Sequence, residues 1–418
     1  MIKIIVITLV LFFTLFPVNF VFLPSAFSTR FILAIFGIII WFLSLVRKKN
    51  IQYDKFISVF IIAILVSIWS IICTSIFNLE DDYAFVTFPI TIGVMFFSCY
   101  LCISLIKFFD KEVSFDLVTK YFLCTIILQS LIVISQFISP IVGSFLTDIQ
   151  RLSEMQVDIA SSHLEDGSRF IGFGLLFYTA SFFYGTALIL IAFQLRYKKL
   201  KKSHTLTYLL LYLSIFFIGM GLSRSTIIGF SASLLVFIFP INSVSRIFKI
   251  ISNTILFLIL IFIIVFVTLK LFPNLSKDLE ALLNNAFDFA IAYFSTGQLS
   301  SNSASGTFET LDFPERVRTY FIGTGLYDTY FSVGDFNYSD IGYLRLLYYF
   351  GIPGMILFFM VEIQLLKIAF KPKELRPIYY SMFVILFITN IKGLTTLAII
   401  AILFALIPNR ELKRNKYI

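Results

Sequence analysis

Long apolar runs recur along this 418-residue chain from residue 4 to residue 408, and most are long enough to cross a bilayer as a helix. Hydrophobic residues make up 59% of the sequence and charged residues only 14%, well below the roughly one quarter that is typical of soluble domains. The runs are continuously apolar and lack the alternation of transmembrane β-strands. We therefore expect an all-α, polytopic integral membrane protein, and a soluble enzyme is excluded.

Polar clusters divide these runs into about twelve predicted transmembrane helices, which form one membrane domain over residues 1–418. The predicted spans are 4–22, 31–46, 56–77, 88–109, 122–145, 173–195, 205–222, 226–241, 254–272, 341–366, 377–391 and 393–408. Only Asn390, Lys392 and Gly393 separate the last two. These are either two helices or one kinked helix.

The charges predict an orientation. With the N-terminus in the cytoplasm, 23 of the 33 basic residues fall on the cytoplasmic face, together with only 7 of the 24 acidic residues, Glu362 among them. This asymmetry follows the positive-inside rule and predicts that both termini are cytoplasmic. The basic loops then face anionic membrane lipid, so the net charge of +9 does not indicate a nucleic-acid partner.

Neither metal nor cofactor chemistry is indicated. The four cysteines lie inside apolar runs, where they behave as small hydrophobic residues. The two histidines have no serine or cysteine framework for nucleophilic catalysis, and the predicted cytoplasmic side has no phosphate-binding glycine loop. We therefore expect no metal, no cofactor and no ATP hydrolysis.

Two predicted outer loops, 146–172 and 273–340, are much longer than the others, and loops of this kind often carry function. The second begins with a helical apolar period over about 277–294, which predicts a helix on the outer membrane surface or one packed on the bundle.

Arginines on the predicted outer side are candidate anion ligands. Arg224 stands alone between two apolar runs, where an unpaired arginine costs roughly 2.5 to 3.5 kcal/mol. It either snorkels to the headgroups or lines a polar pocket with its flanking serines. Arg169 precedes Gly172, where the first outer loop re-enters the membrane. Arg316 and Arg318 lie among acidic residues, where they form surface ion pairs or bind an anion. Guanidinium groups that converge on one point hold a pyrophosphate without metal.

These features occur in an order that resembles the O-antigen polymerase and ligase superfamily of bacterial surface-polysaccharide assembly. The motifs are Arg169-x-x-Gly172, Ser223-Arg224-Ser225, Gly323-Thr-Gly325, Ser339-Asp340-x-Gly342-Tyr343-Leu344 and Gly351-Ile-Pro-Gly354. The likeness covers about residues 165–360. Ligases of this superfamily typically carry a histidine where this chain has Ser339-Asp340, and this difference favours the polymerase (Wzy-type) branch.

The resemblance implies a metal-independent glycosyltransferase of the bacterial plasma membrane. It would join oligosaccharide repeat units carried on undecaprenyl pyrophosphate into O-antigen or capsular polysaccharide at the outer face. Arg169, Arg224 and one of Arg316 or Arg318 would stabilise the leaving pyrophosphate. Asp340 would be the catalytic base, with Glu315 and Asp335 in reserve, and Tyr343 would orient the sugar. A chain-length regulator and a flippase of the same pathway are the implied protein partners.

Other functions remain open at this point. A ligase would use the same donor and transfer the glycan to a final acceptor. A flippase or secondary transporter also commonly has about twelve helices, although such proteins usually place charges and broken helices near the midplane in two related halves. A non-catalytic partner of an assembly complex would not need the arginines.

Overall fold

The computed structural model describes residues 2–47, 54–77, 83–152, 170–174, 179–198, 201–238, 311–327, 339 and 341–408. Within this part of the chain the secondary structure is helical, apart from one isolated antiparallel bridge between Phe20 and Gln150. The α-helices are α1 (Ile2–Leu15), α2 (Thr29–Val46), α3 (Asp54–Phe77), α4 (Phe88–Asp110), α5 (Phe115–Ile138), α6 (Pro140–Asp148), α7 (Ala180–Tyr197), α8 (Lys202–Leu222), α9 (Thr226–Ile238), α10 (Val317–Ile322), α11 (Gly342–Ala369), α12 (Arg376–Thr389) and α13 (Ala398–Ala405).

Seven of these helices are long and apolar enough to cross a membrane, namely α2, α3, α4, α5, α7, α8 and α11. This agrees with the predicted all-helical class and with a polytopic membrane protein. Several predictions lie outside the described residues: the span 254–272, the surface helix near 277–294 and most of both long outer loops.

Three predicted spans differ from the helices at their ends, and each difference has a local cause. The first helix stops at Leu15, two residues before Pro17, which cannot continue it. Pro140 divides the predicted span 122–145, because proline disfavours helical backbone in the residue before it. Near the start of the predicted span 173–195, Gly174 adopts a left-handed φ of 69°, which a helix does not contain, and the described helix of this span begins at Ala180.

Successive long helices run antiparallel and bring basic and acidic residues to one end of the bundle, here called the basic end. Lys3 forms a salt bridge of 2.5 Å with Asp110, and Lys198 forms one of 2.6 Å with Asp116. The Lys55 ammonium at the start of α3 donates to the Ala405 carbonyl at the end of α13. The ring centroids of Phe404 and Phe115 are 5.3 Å apart, so the end of α13 lies beside the start of α5 at the basic end.

Glycines allow two helix pairs to approach closely. A Cβ on Gly37 of α2 would meet the Phe97 carbonyl of α4 at 2.0 Å. In the same way, a Cβ on Gly229 of α9 would come within 2.3 Å of the Gly185 Cα of α7. Small residues at crossings are a common basis of helix association in membranes, where backbone contact replaces the hydrophobic driving force.

Helix α11 folds back on itself. Gly351 has φ 66° and divides it into a first half, Gly342–Phe350, and a second half that ends at Ala369. Tyr343 and Phe359 are sixteen residues apart in the sequence, yet their ring centroids are only 5.4 Å apart, whereas a straight helix would separate them by about 24 Å. The first half therefore lies alongside the second.

The last two predicted spans are two helices, which settles the alternative that the sequence left open. Helix α12 ends at Thr389 and α13 begins at Ala398. Residues 390–397, here called the break segment, are non-helical and connect the two inside the bundle.

Candidate functional site

A cavity of about 390 Å³ lies at the end of the bundle opposite the basic end, where α1 ends and α2 begins. We call this the cavity end. The lining comes from the α1–α2 connection, the end of α6, the segment 170–174, the start of α7 and the break segment. The polar and charged side chains in this lining are Asn19, Arg30, Thr147, Gln150, Arg151, Thr179, Thr395 and Thr396.

Arg30 contributes a fixed positive charge to the cavity wall. Its Nε donates to the Thr14 carbonyl at 2.7 Å and its Nη2 to the Leu15 carbonyl at 3.0 Å. These carbonyls belong to the last turn of α1, where helical partners are missing, and they carry the negative end of the helix dipole. The two bonds use two of the five N–H donors of the guanidinium and set its plane at the cavity.

Arg151 lies at the mouth of the cavity. Its Nη2 donates to the carbonyls of Val21 and Leu23, at 3.1 and 2.9 Å. The neighbouring Gln150 accepts from the Gly174 amide at 2.9 Å. Gln150 and Arg151, which follow α6, therefore hold the loop between α1 and α2 next to the segment 170–174.

The break segment forms part of the cavity wall, and side chains satisfy its backbone. The side-chain Nδ2 of Asn390 donates to the carbonyls of Leu386 and Thr395. Its side-chain Oδ1 accepts from the backbone N–H of Thr395 at 3.1 Å. Irregular backbone inside a membrane bundle requires such partners, because lipid offers none.

Glu362 of α11 supports the break segment from the side away from the cavity. The residue is 0% exposed, and its two carboxylate oxygens accept from the Thr396 hydroxyl and from the Leu397 amide, the latter at 2.9 Å. Its assignment to the cytoplasmic face was wrong, because this carboxylate is buried between helices and takes its hydrogen bonds from the break segment.

The first half of α11 begins against the break segment. A Cβ on Gly342 would meet the Leu394 backbone at 2.7 Å, and Leu394 lines the cavity. The Tyr343 amide donates to the Asn390 carbonyl at 3.3 Å, and the Tyr343 hydroxyl donates to the Phe387 carbonyl at 2.7 Å. Tyr343 thus contacts the break segment through Asn390, α12 through Phe387 and the second half of α11 through Phe359.

Two of the glycine motifs, Gly323-Thr-Gly325 and Gly351-Ile-Pro-Gly354, meet at the end of this first half, next to the bend. Thr324 and Gly325 donate to the carbonyls of Tyr348 and Tyr349, which lie in the last turn before the bend. Gly323 and Gly325 have left-handed φ values of 74° and 73°, as does Gly351 at the bend. These motifs therefore build the fold-back of α11.

Three of the predicted site residues, Arg169, Asp335 and Asp340, lie outside the described residues. A described neighbour of Arg169 lines the cavity, and a described neighbour of Asp340 packs on a residue of its wall. Gly172 follows Arg169 by three residues and lines it, and Gly342 follows Asp340 by two residues and packs on Leu394.

Arg224 occupies the turn between α8 and α9, half-buried between the buried Ser223 and Ser225. The Phe170 amide donates to the Gly221 carbonyl at 3.0 Å, so the segment 170–174 runs from this turn to the cavity. Among the described residues, Glu315, Arg316 and Arg318 are exposed around the start of α10 and do not line the cavity.

Sequence reasoning missed Arg30, Arg151 and the role of Glu362. Both Arg30 and Glu362 carried a usable signal, since a charged residue at the edge of or within an apolar run is expensive and is usually functional. Within the described residues, no group of three or more His, Cys, Asp or Glu side chains is placed to hold a metal ion. No known protein family, curated protein or solved structure matches this chain.

Proposed function

We propose that this protein is a glycosyltransferase that polymerises oligosaccharide repeat units carried on undecaprenyl pyrophosphate at the outer face of the bacterial plasma membrane. One observation carries the proposal. Arg30 and Gly172, a near neighbour of Arg169, line the same cavity in the helix bundle. Leu394 also lines this cavity, and Gly342, a near neighbour of Asp340, packs on Leu394.

The chemistry of the cavity fits a lipid-pyrophosphate donor. Guanidinium groups match phosphate oxygens with two parallel hydrogen bonds, and their charge is most useful when the pyrophosphate leaves. Arg30 would supply this charge from the cavity wall, and Arg169 and Arg224 would add to it. Asp340 is the proposed base for the acceptor hydroxyl, with Glu315 and Asp335 in reserve, while Arg316 and Arg318 are proposed donor ligands from the outer loop and Tyr343 a sugar ligand.

A gel of surface glycan from a strain that lacks this gene tests the proposal. Loss of the polymer ladder, with a single repeat unit still attached to its final acceptor, is the expected result. Loss of both ladder and single unit, with lipid-linked polymer on the outer leaflet, would identify a ligase. An unchanged ladder would contradict both functions.

A transporter is the second candidate, and specific observations favour it. Helix α11 is bent at Gly351, and the non-helical break segment separates α12 from α13. Glu362 is buried inside the bundle. Broken helices and buried charges are typical of secondary transporters. In the same deletion strain, lipid-linked single units trapped on the inner leaflet would favour a flippase over the polymerase.

A further inference from the structure

The hydroxyl of Thr396 has a fixed direction. It donates its single proton to Glu362, and its oxygen accepts from the Ala398 amide at 3.1 Å. A hydroxyl has one proton and two acceptor positions, so one acceptor position is left for a further partner. Thr396 lines the cavity and is exposed, whereas Glu362 behind it is fully buried.

This arrangement selects the kind of ligand atom that Thr396 binds. Because its proton is held by Glu362, Thr396 offers an acceptor to the cavity and no donor. Phosphate oxygens only accept hydrogen bonds at this position, so they gain nothing from Thr396. A ligand hydroxyl, in contrast, can donate its proton to the Thr396 oxygen.

We propose that Thr396 is a binding site for a hydroxyl group of the sugar in the cavity, and that Glu362 is the positioning residue that orients it. This inference rests on the proposed function. It divides the cavity into an anion side at Arg30 and a hydroxyl side at Thr396. The Leu397 amide holds the second oxygen of Glu362 at 2.9 Å, so the carboxylate cannot easily turn away from Thr396.

The test compares Thr396→Val, Thr396→Ser and Glu362→Gln in the full-length protein, with Thr125→Val as the matched control. Thr125 is a buried threonine whose hydroxyl donates to the Tyr121 carbonyl of its own helix. Polymer is measured in the deletion strain, and binding of farnesyl pyrophosphate, a short isoprenyl pyrophosphate, is measured on the purified protein. Membrane abundance and melting temperature report folding.

We expect Thr396→Val to lower polymer yield about tenfold or more, as the loss of one oriented hydrogen bond implies. Thr396→Ser should keep most of the yield, Glu362→Gln should lower it, and Thr125→Val should not change it. All four should bind farnesyl pyrophosphate like the wild type. A merely structural role would instead reduce polymer, probe binding and melting temperature together.

Normal polymer from a folded Thr396→Val variant would overturn the inference and leave the proposed function standing. Loss of farnesyl pyrophosphate binding in that variant would also overturn it. If the Thr396→Val variant does not fold, Thr396→Cys is used in its place. A thiol is a weak hydrogen-bond acceptor, so this variant should also lower the polymer yield. Normal polymer from Thr396→Cys would then overturn the inference. If the wild-type gene, returned to the deletion strain, restores no polymer, the result contradicts the proposed function itself.

Discussion

Gly229 of α9 lies directly against Gly185 of α7, so closely that a Cβ on Gly229 would stand 2.3 Å from the Gly185 Cα. Two backbones in contact at this crossing leave no room for a methyl group. The pair therefore fixes how α9 packs on α7, and through α7 it supports the start of that helix at the cavity.

We expect Gly229→Ala to destabilise the protein by about 1–3 kcal/mol, because overpacking at a backbone contact outweighs the gain in helix propensity. Thermal unfolding of the purified protein measures the effect. Gly93→Ala is the matched control, since a Cβ on this helical glycine meets nothing within 4 Å. Equal melting temperatures for the two variants would contradict the prediction.

Gly351→Ala should disturb the fold-back of α11. The residue has φ 66°, and a Cβ there would meet the Phe321 backbone at 2.6 Å. A left-handed alanine costs about 1–3 kcal/mol before the clash is counted. Trp69 reports on this bend, because its indole N–H donates to the Phe350 carbonyl at 2.8 Å.

The measurement uses a Trp41→Phe background, in which Trp69 is the remaining tryptophan of the two in the chain. Gly351→Ala should then shift the emission maximum of Trp69 and lower the melting temperature. Emission that matches the background protein would mean that the bend survives the substitution.

The helical class and most helix positions could be predicted from the sequence, because continuous apolar runs have few alternatives in a membrane. The fold-back at Gly351 could not, since a glycine within an apolar run does not reveal its φ. The cavity was also hidden. Arg30 looked like the ordinary start of a span, and its role depends on the Thr14 and Leu15 carbonyls, which only the packing of α1 on α2 brings to it.

Arg30→Gln should weaken binding of farnesyl pyrophosphate about tenfold or more, because it removes the guanidinium that we propose as a charge-assisted ligand of the pyrophosphate. Arg30→Lys should recover only part of the affinity, since an ammonium lacks the planar fork. Arg47→Gln at the exposed far end of the same helix is the control and should bind normally. Equal affinity for Arg30→Gln and Arg47→Gln would remove Arg30 from the anion site.

Arg224→Ala should abolish polymer while the protein still inserts in the membrane. Arg224 is half-buried in a turn between two buried serines, close along the chain to Gly221, which binds the segment 170–174. Polymer yield and membrane abundance are measured together, and Arg376→Ala at the start of α12 is the control. Normal polymer from Arg224→Ala would refute its part in catalysis.

The orientation of the bundle decides which compartment supplies the substrate. The basic end should face the cytoplasm, as the positive-inside rule requires, and the cavity should then open to the outside.

Phe22 is 75% exposed at the cavity end, and Lys373 is exposed at the basic end. The native cysteines should give little background, because Cys73, Cys99 and Cys102 are buried and Cys124 is half-buried. In whole cells, a membrane-impermeant maleimide should therefore label Phe22→Cys and spare Lys373→Cys until the cells are opened. The reverse pattern would place the cavity in the cytoplasm, where a polymerase acting at the outer face has no access to its donor.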